Sequence, residues 1–181
     1  MRRMFVVAAT GVLALAGCDG VTGPSPAQPI TRDTIPWFQT DSLHYVLHPN
    51  AVGYEAPVGV VFTNRAARTA YIVNCRGSTF ISMEKLVEGA WETVWSPLIP
   101  ACLSPPITIA GGATYRVDLG IFGAVPGTNV APQFTTTDLS GTFRLVWHSL
   151  VYDYQDHLPF GEPVPPESAM SNAFVLTVRS Q

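Results

Sequence analysis

The side chains able to do chemistry fall into a few short clusters. Tyr152-Asp153-Tyr154-Gln155-Asp156-His157 brings two carboxylates and an imidazole between tyrosines. Such a set can hold a cation or orient a polar ligand, while the tyrosine rings supply contact area at low entropic cost. His44 and His48 are four apart, and both can face one side of a strand. As metal ligands they lack a third partner nearby; as surface histidines ahead of Pro49 they need none. Trp91 and Trp95 alternate with Glu92 and Val94, as core aromatics or as a platform on which a sugar stacks. Thr135-Thr136-Thr137 before Asp138 offers hydroxyls without an identifiable base, so it reads as a polar turn. There is no nucleophile elbow, zinc-protease helix, phosphate loop or dinucleotide fingerprint. No catalytic residue, metal set or cofactor is assigned, and the chain reads as non-enzymatic.

The elements that must position these groups read as strands. Leu43–Leu47 stops at Pro49-Asn50. Val58–Asn64 puts Val58, Val60 and Phe62 on one face, and Thr69–Cys75 does the same for Tyr71, Val73 and Cys75. Phe80–Val87, Glu88-Gly89 and Trp91–Trp95 spell a hairpin. Ile107–Ala110 runs into Gly111-Gly112, after which Tyr115, Val117 and Leu119 alternate with Arg116 and Asp118. Thr142–Val151 is the longest run, with Phe143, Leu145 and Trp147 on one face and Arg144 and His148 on the other; Phe174, Leu176 and Val178 close the series. No window carries an amphipathic helix. Short strands joined by Gly and Pro turns predict an all-β sandwich whose core includes Phe62, Tyr71, Leu145, Trp147, Phe174 and Leu176. The Tyr152–His157 cluster falls in a long loop of that sandwich, where binding residues concentrate, or else it is only a solvated polar loop.

Charged residues are 13% against 47% hydrophobic, which excludes a charge-driven disordered chain. Nine of the ten basic residues are arginine and the formal charge is −3. That balance leaves no electrostatic footprint for nucleic acid and no polybasic surface for anionic lipid.

The N-terminus has its own pattern. Met1-Arg2-Arg3-Met4 is basic, and Phe5–Ala16 is an apolar run too short to span a bilayer comfortably. It ends in Leu15-Ala16-Gly17-Cys18, which resembles the lipobox of bacterial lipoproteins. The resemblance implies a signal peptide over 1–17, removed before Cys18, and acyl chains on Cys18. Several acyl chains anchor firmly, at roughly 0.8 kcal/mol per buried CH₂. The implied address is the cell envelope, outside the cytoplasm, with the leaflet left open: Asp19 resembles an inner-membrane retention signal whose rule varies between lineages. Residues 18–40, with Gly20, Gly23, Pro24, Pro26, Pro29 and Pro36, read as a flexible tether whose end, at Trp37 and Phe38, can pack on the domain.

The 41–181 stretch resembles small bacterial immunoglobulin-like domains, including those of the BsuPI-type proteinase inhibitor. The carrying residues are Val60–Asn64, Glu84-Lys85-Leu86 with Gly89-Ala90-Trp91, Ile109–Tyr115, Gly141–Val146 and Ser171–Leu176. The resemblance implies an immunoglobulin-like antiparallel β-sandwich that acts in adhesion, inhibition or scaffolding. The Pro-rich segment Leu158–Pro166 departs from that pattern.

With Cys18 given to lipid, Cys75 and Cys102 remain. An exported compartment and an even remainder favour a disulfide between them over two buried thiols. The expectation is therefore a membrane-tethered binding or scaffolding domain whose partner is an envelope protein or glycan. The alternatives are a protease inhibitor, implied by the resemblance alone, and an envelope metal- or glycan-binding protein.

Overall fold

The computed structural model describes residues 35–99, 101, 104–154 and 161–179. Its longest pairing joins β3 (Gly53–Thr63) to β10 (Thr114–Ala124), antiparallel, from Thr114 opposite Thr63 to Ala124 opposite Gly53 without a register shift. Both strands outrun their alternating centres. Pro57 and Gly120 break the apolar pattern but not the ladder between the strands. Pro57 falls in the gap between the two segments that cover the other edge of β3, β1 (Phe38–Thr40) at Val60–Phe62 and the end of β2 (His44–Pro49) at Tyr54-Glu55. A missing N–H is tolerated at such a site.

The second layer runs β2, β13 (Phe174–Val178), β11 (Gly141–Trp147), β7 (Ile81–Val87) and β8 (Ala90–Trp95). β2 belongs to both layers. Its residues 44–47 lie parallel to 175–178 of β13, and then His48 and Pro49 pair antiparallel with β3. The architecture is thus an all-β sandwich whose paired strands, among the described residues, are antiparallel except at this crossing strand; two isolated bridges, Phe38–Ser171 and Ala124–Gln133, are parallel. Between the layers lie Phe62, Leu145, Trp147, Phe174 and Leu176, all buried as the alternation predicts. Phe38 ties the layers together: its ring stacks on Trp147 at 3.7 Å and meets Phe62 at 4.6 Å. A smaller sheet of β12 (Leu150–Val151), β4 (Ala70–Ile72) and β9 (Ile107–Ile109), and a ribbon of β5 (Asn74–Cys75) and β6 (Ser78–Thr79), complete the fold. A 3-10 turn spans Pro166–Ala169.

Several expectations need correction. The folded unit starts before residue 41, because Phe38 is fully buried and β1 falls within the segment assigned to the tether. Thr142–Val151 is two strands: the chain bends at His148-Ser149, and its end joins the small sheet. Thr69–Cys75 is likewise interrupted at Val73. There the inward residues are Ala70 and Ile72, which leaves Tyr71 half-buried rather than in the core.

The β7–β8 hairpin has the expected two-residue turn, with Glu88 at φ 50 and Gly89 at φ 86, the left-handed pair that matches strand twist. One feature of it escaped the alternation. A bulge sets Trp95 opposite Met83 and Thr93 opposite Glu84, so Val94 is the extra residue. The bulge turns both Val94 and Trp95 inward, and Trp95 Nε1 donates to the Phe122 carbonyl at 2.7 Å.

Candidate functional site

The 152–154 stem is organised from a distance by Asn64, which is fully buried at the end of β3. Its side-chain amide donates to the carbonyls of Arg68 and Ile109 at 2.8 and 2.9 Å, and its Oδ1 accepts from the Ala66 N–H at 3.1 Å. An Asn that satisfies three backbone groups fixes the turn that carries Arg68. β4 follows directly and pairs with β12, which brings Arg68 to the start of the loop.

Arg68 then acts as a fork. Nη2 donates to Asp153 Oδ2 at 3.1 Å, Nη1 donates to Glu162 Oε2 at 2.7 Å, and the guanidinium lies 4.2 Å from the centre of the Tyr152 ring. The hydrogen bond that Arg68 donates to Glu162 raises the Arg68 pKa above its ordinary value. The two arms of the loop are also joined through the backbone. Tyr152 N–H donates to the Glu162 carbonyl at 2.9 Å, and Val164 N–H donates to the Leu150 carbonyl at 3.2 Å. Gly161 permits this closure: a Cβ there would stand 1.9 Å from the Asp153 carbonyl oxygen. Burial raises the Tyr152 hydroxyl pKa, and the ring packs against the core. Tyr154 is half-buried and its ring lies over Tyr71 at 6.1 Å.

The structure therefore brings Tyr152, Asp153 and Tyr154 together with Arg68 and Glu162, which the sequence reading missed, and with Tyr71, which it assigned to the core. Asp156 and His157 lie outside the described residues. Tyr152 and Asp153 are part of a braced stem rather than a freely solvated loop. What the stem offers a partner is a half-exposed guanidinium flanked by carboxylates and a pair of tyrosine rings, a polar contact surface with fixed geometry.

The other candidates separate. His44 and His48 are both exposed on β2, and four residues of strand put them roughly 13 Å apart, too far to share one cation. Trp91 and Trp95 do not form one platform, because the bulge sends Trp95 into the core. Trp91 is left half-buried on the outer face, under the Arg144 guanidinium at 4.4 Å. Arg144 is itself held by Glu84, Nε to Oε2 at 2.7 Å. Asp138 beside the threonines is bound to Lys85, whose Nζ donates to its carboxylate at 2.6 Å and to its carbonyl at 2.7 Å; this contact lowers the Asp138 pKa. A serine–histidine contact also escaped the sequence reading: Ser82 Oγ lies 2.8 Å from His148 Nε2. Among the described residues neither side chain is hydrogen-bonded to a carboxylate, so the pair lacks the third member of a nucleophilic triad. Cys75 is buried and disulfide-bonded; Cys18 and Cys102 lie outside the described residues.

The chain matches no protein-family model, and no curated protein matches it. Among solved structures it is similar to an alkylpurine DNA glycosylase, AlkC of Pseudomonas fluorescens, bound to DNA containing an abasic site analog, with 8% identity and a TM-score of 0.34. The match covers 80% of this chain and 31% of that one, so it spans less than a third of the glycosylase. A likeness at that level carries no argument about fold or activity.

Proposed function

We propose that this chain is a lipid-anchored cell-envelope protein whose β-sandwich is a non-enzymatic binding or scaffolding module. The anchor rests on the lipobox at Leu15–Cys18. The binding assignment rests on one observation, the Arg68 fork that holds Tyr152, Asp153 and Glu162 in a single geometry before any partner arrives. A preorganised polar surface lowers the ordering cost of association. The partner class is an envelope protein or glycan, and the immunoglobulin-like resemblance supports adhesion or scaffolding. Protease inhibition is the second reading, and it has that resemblance alone behind it.

We also infer that Cys102 is the partner of Cys75. Ser104 N–H donates to the Asn74 carbonyl at 3.1 Å, Arg76 N–H donates to Ser104 Oγ at 2.8 Å, and Asn74 Nδ2 donates to the Pro105 carbonyl at 2.9 Å. These contacts hold the chain two residues past Cys102 against Cys75, within the span that a disulfide needs.

Two measurements test the proposal. Cys18→Ala is expected to leave the detergent phase on phase partitioning; a variant that still partitions like the wild type refutes the anchor. The Tyr154→Ala/Asp153→Ala variant is expected to lose capture of the envelope partner that the wild-type chain retains, while keeping its folded circular dichroism. Unchanged capture removes the stem from consideration.

A further inference from the structure

We propose that the outward face of the β3–β10 pair carries a saccharide subsite, in which a neutral β-linked pyranose lies over Pro57, Gly120 and Phe122 and hydrogen-bonds to Glu55 and His48. The inference is independent of the lipid anchor and of the Arg68 stem.

The site follows from the register. Directly opposed residues of antiparallel strands share a face. Ala56, Val58 and Ile121 are buried between the layers, so the residues that alternate with them, Glu55, Pro57, Gly120 and Phe122, point outward. His48 of β2 stands opposite Glu55, and Glu55 stands opposite Phe122. These three form one cross-strand row, roughly 10 Å between its outer Cβ atoms. Pro57 and Gly120 form the next row, about 7 Å along the strands. The five residues line a depression of about 370 Å³, within the range of small-molecule sites. Pro57 and Gly120 are exposed there and Phe122 is half-buried.

Gly120 is the observation that points to a ligand. A glycine inside a strand weakens it, and it marks a bulge, a bend or the close approach of another group. β3 and β10 contain four glycines, and the chain itself explains three of them. A Cβ at Gly53 would run into the Gly123 carbonyl, one at Gly59 into the Asp41 carboxylate, and one at Gly123 into the Phe134 ring. Gly120 has none of these reasons. Its φ is not positive, its register is unbroken, and a Cβ there would meet nothing within 4 Å. The missing side chain leaves room over the strand, beside Pro57 and Phe122.

The chemistry of the lining selects the occupant. Its apolar part is two rings, the pyrrolidine of Pro57 and the phenyl of Phe122, with the flat backbone of Gly120 between the strands' side chains. A β-linked, gluco-configured pyranose holds its ring hydrogens axial, so its faces are apolar and its edge is a belt of hydroxyls. Such a face lies on rings, and such an edge needs acceptors and donors at one rim. Glu55 and His48 supply them. Asn50 steers the Glu55 carboxylate: its Nδ2 donates to Oε2 at 3.3 Å, while its Oδ1 accepts from the Val52 and Gly53 N–H groups at 3.0 and 2.8 Å. No other hydrogen bond among the described residues involves the Glu55 carboxylate or the His48 ring, so both can bond a hydroxyl. The carboxylate repels acidic sugars and phosphates, which makes the ligand neutral. One carboxylate and one imidazole are too few to hold a cation, and no three such groups converge among the described residues.

Filling the space over Gly120 tests the site. The full chain, in a polyoxyethylene detergent that carries no sugar, is titrated with cellobiose and with chitobiose and followed by saturation-transfer NMR. At least one disaccharide is expected to bind with a Kd of about 0.1–5 mM, with saturation strongest at the axial ring protons of one face. Gly120→Val touches no protein atom and puts a better strand former in β10, so it should keep or raise the denaturation midpoint. The same variant is expected to weaken disaccharide binding by about tenfold or more. Phe122→Ala and Glu55→Gln should each weaken it by about tenfold, through the platform and the rim. The stem variant Tyr154→Ala/Asp153→Ala should bind like the wild type. Cyclohexanol, a ring of similar size without the hydroxyl belt, should bind about tenfold more weakly than the disaccharide. No saturation of either disaccharide at tens of millimolar overturns the proposal. So does binding that survives Gly120→Val in a folded chain, binding lost in the stem variant, or cyclohexanol bound as well as the sugar.

Discussion

The Arg68 guanidinium lies 4.2 Å from the centre of the Tyr152 ring while donating to Asp153 and Glu162, the carboxylates of the two arms that flank that ring. Its side chain keeps 45% exposure, so most of its Coulomb attraction is screened and its contribution is geometric. Arg68→Ala is expected to leave the global denaturation midpoint nearly unchanged. It should speed hydrogen exchange at the Tyr152 and Val164 amides by about tenfold, because those bonds close the stem that the fork holds. Arg68→Lys, a point charge without the planar fork, should fall between. Unchanged protection at both amides would show that the stem does not depend on Arg68.

Phe38 tests where the folded unit begins. It is fully buried and stacked on Trp147. Phe38→Ala is expected to cost about 3–5 kcal/mol in a denaturant titration, as for a large aromatic removed from a core. A loss below about 1 kcal/mol would return residues 37–40 to the tether.

Tyr45 predicts a pH effect. Burial, helped by its hydrogen bond to Asp41, pushes its hydroxyl pKa from 10.0 up to about 12. Between those values the unfolded chain has released the proton and the folded chain has not. Stability is therefore fully present below pH 10 and falls as pH rises toward about 12. After discounting for solvent screening at this half-buried site, the fall is about 1 kcal/mol. Tyr45→Phe should remove that part of the alkaline loss; identical wild-type and variant curves between these pH values would rule the effect out.

The proposed Cys75–Cys102 disulfide would close a loop of about 27 residues, for which the loss of unfolded-state entropy is on the order of 3 kcal/mol. Cys102→Ala and Cys75→Ala are each expected to lower stability by that amount, and the double variant by no more than either single one. A wild-type chain purified under oxidising conditions that shows titratable thiols at both positions would refute the pairing.

The sequence alone determined that the chain is built of short strands, and it determined most of the core. Val58, Val60 and Phe62, or Phe143, Leu145 and Trp147, are sorted by a period of two, which is a local property of an extended chain. The Glu88-Gly89 turn was equally legible, because its residue types state the left-handed backbone it requires. Tertiary structure decided what local pattern cannot hold. The bulge at Val94 inverts the phase of β8, so Trp91 and Trp95, alike in the sequence, end on opposite sides of the sheet. β2 changes layers within six residues because its two ends meet different strands. Arg68 meets Glu162 across 94 positions, and no spacing rule links them. Their meeting depends on Asn64 fixing one turn and on β4 and β12 pairing.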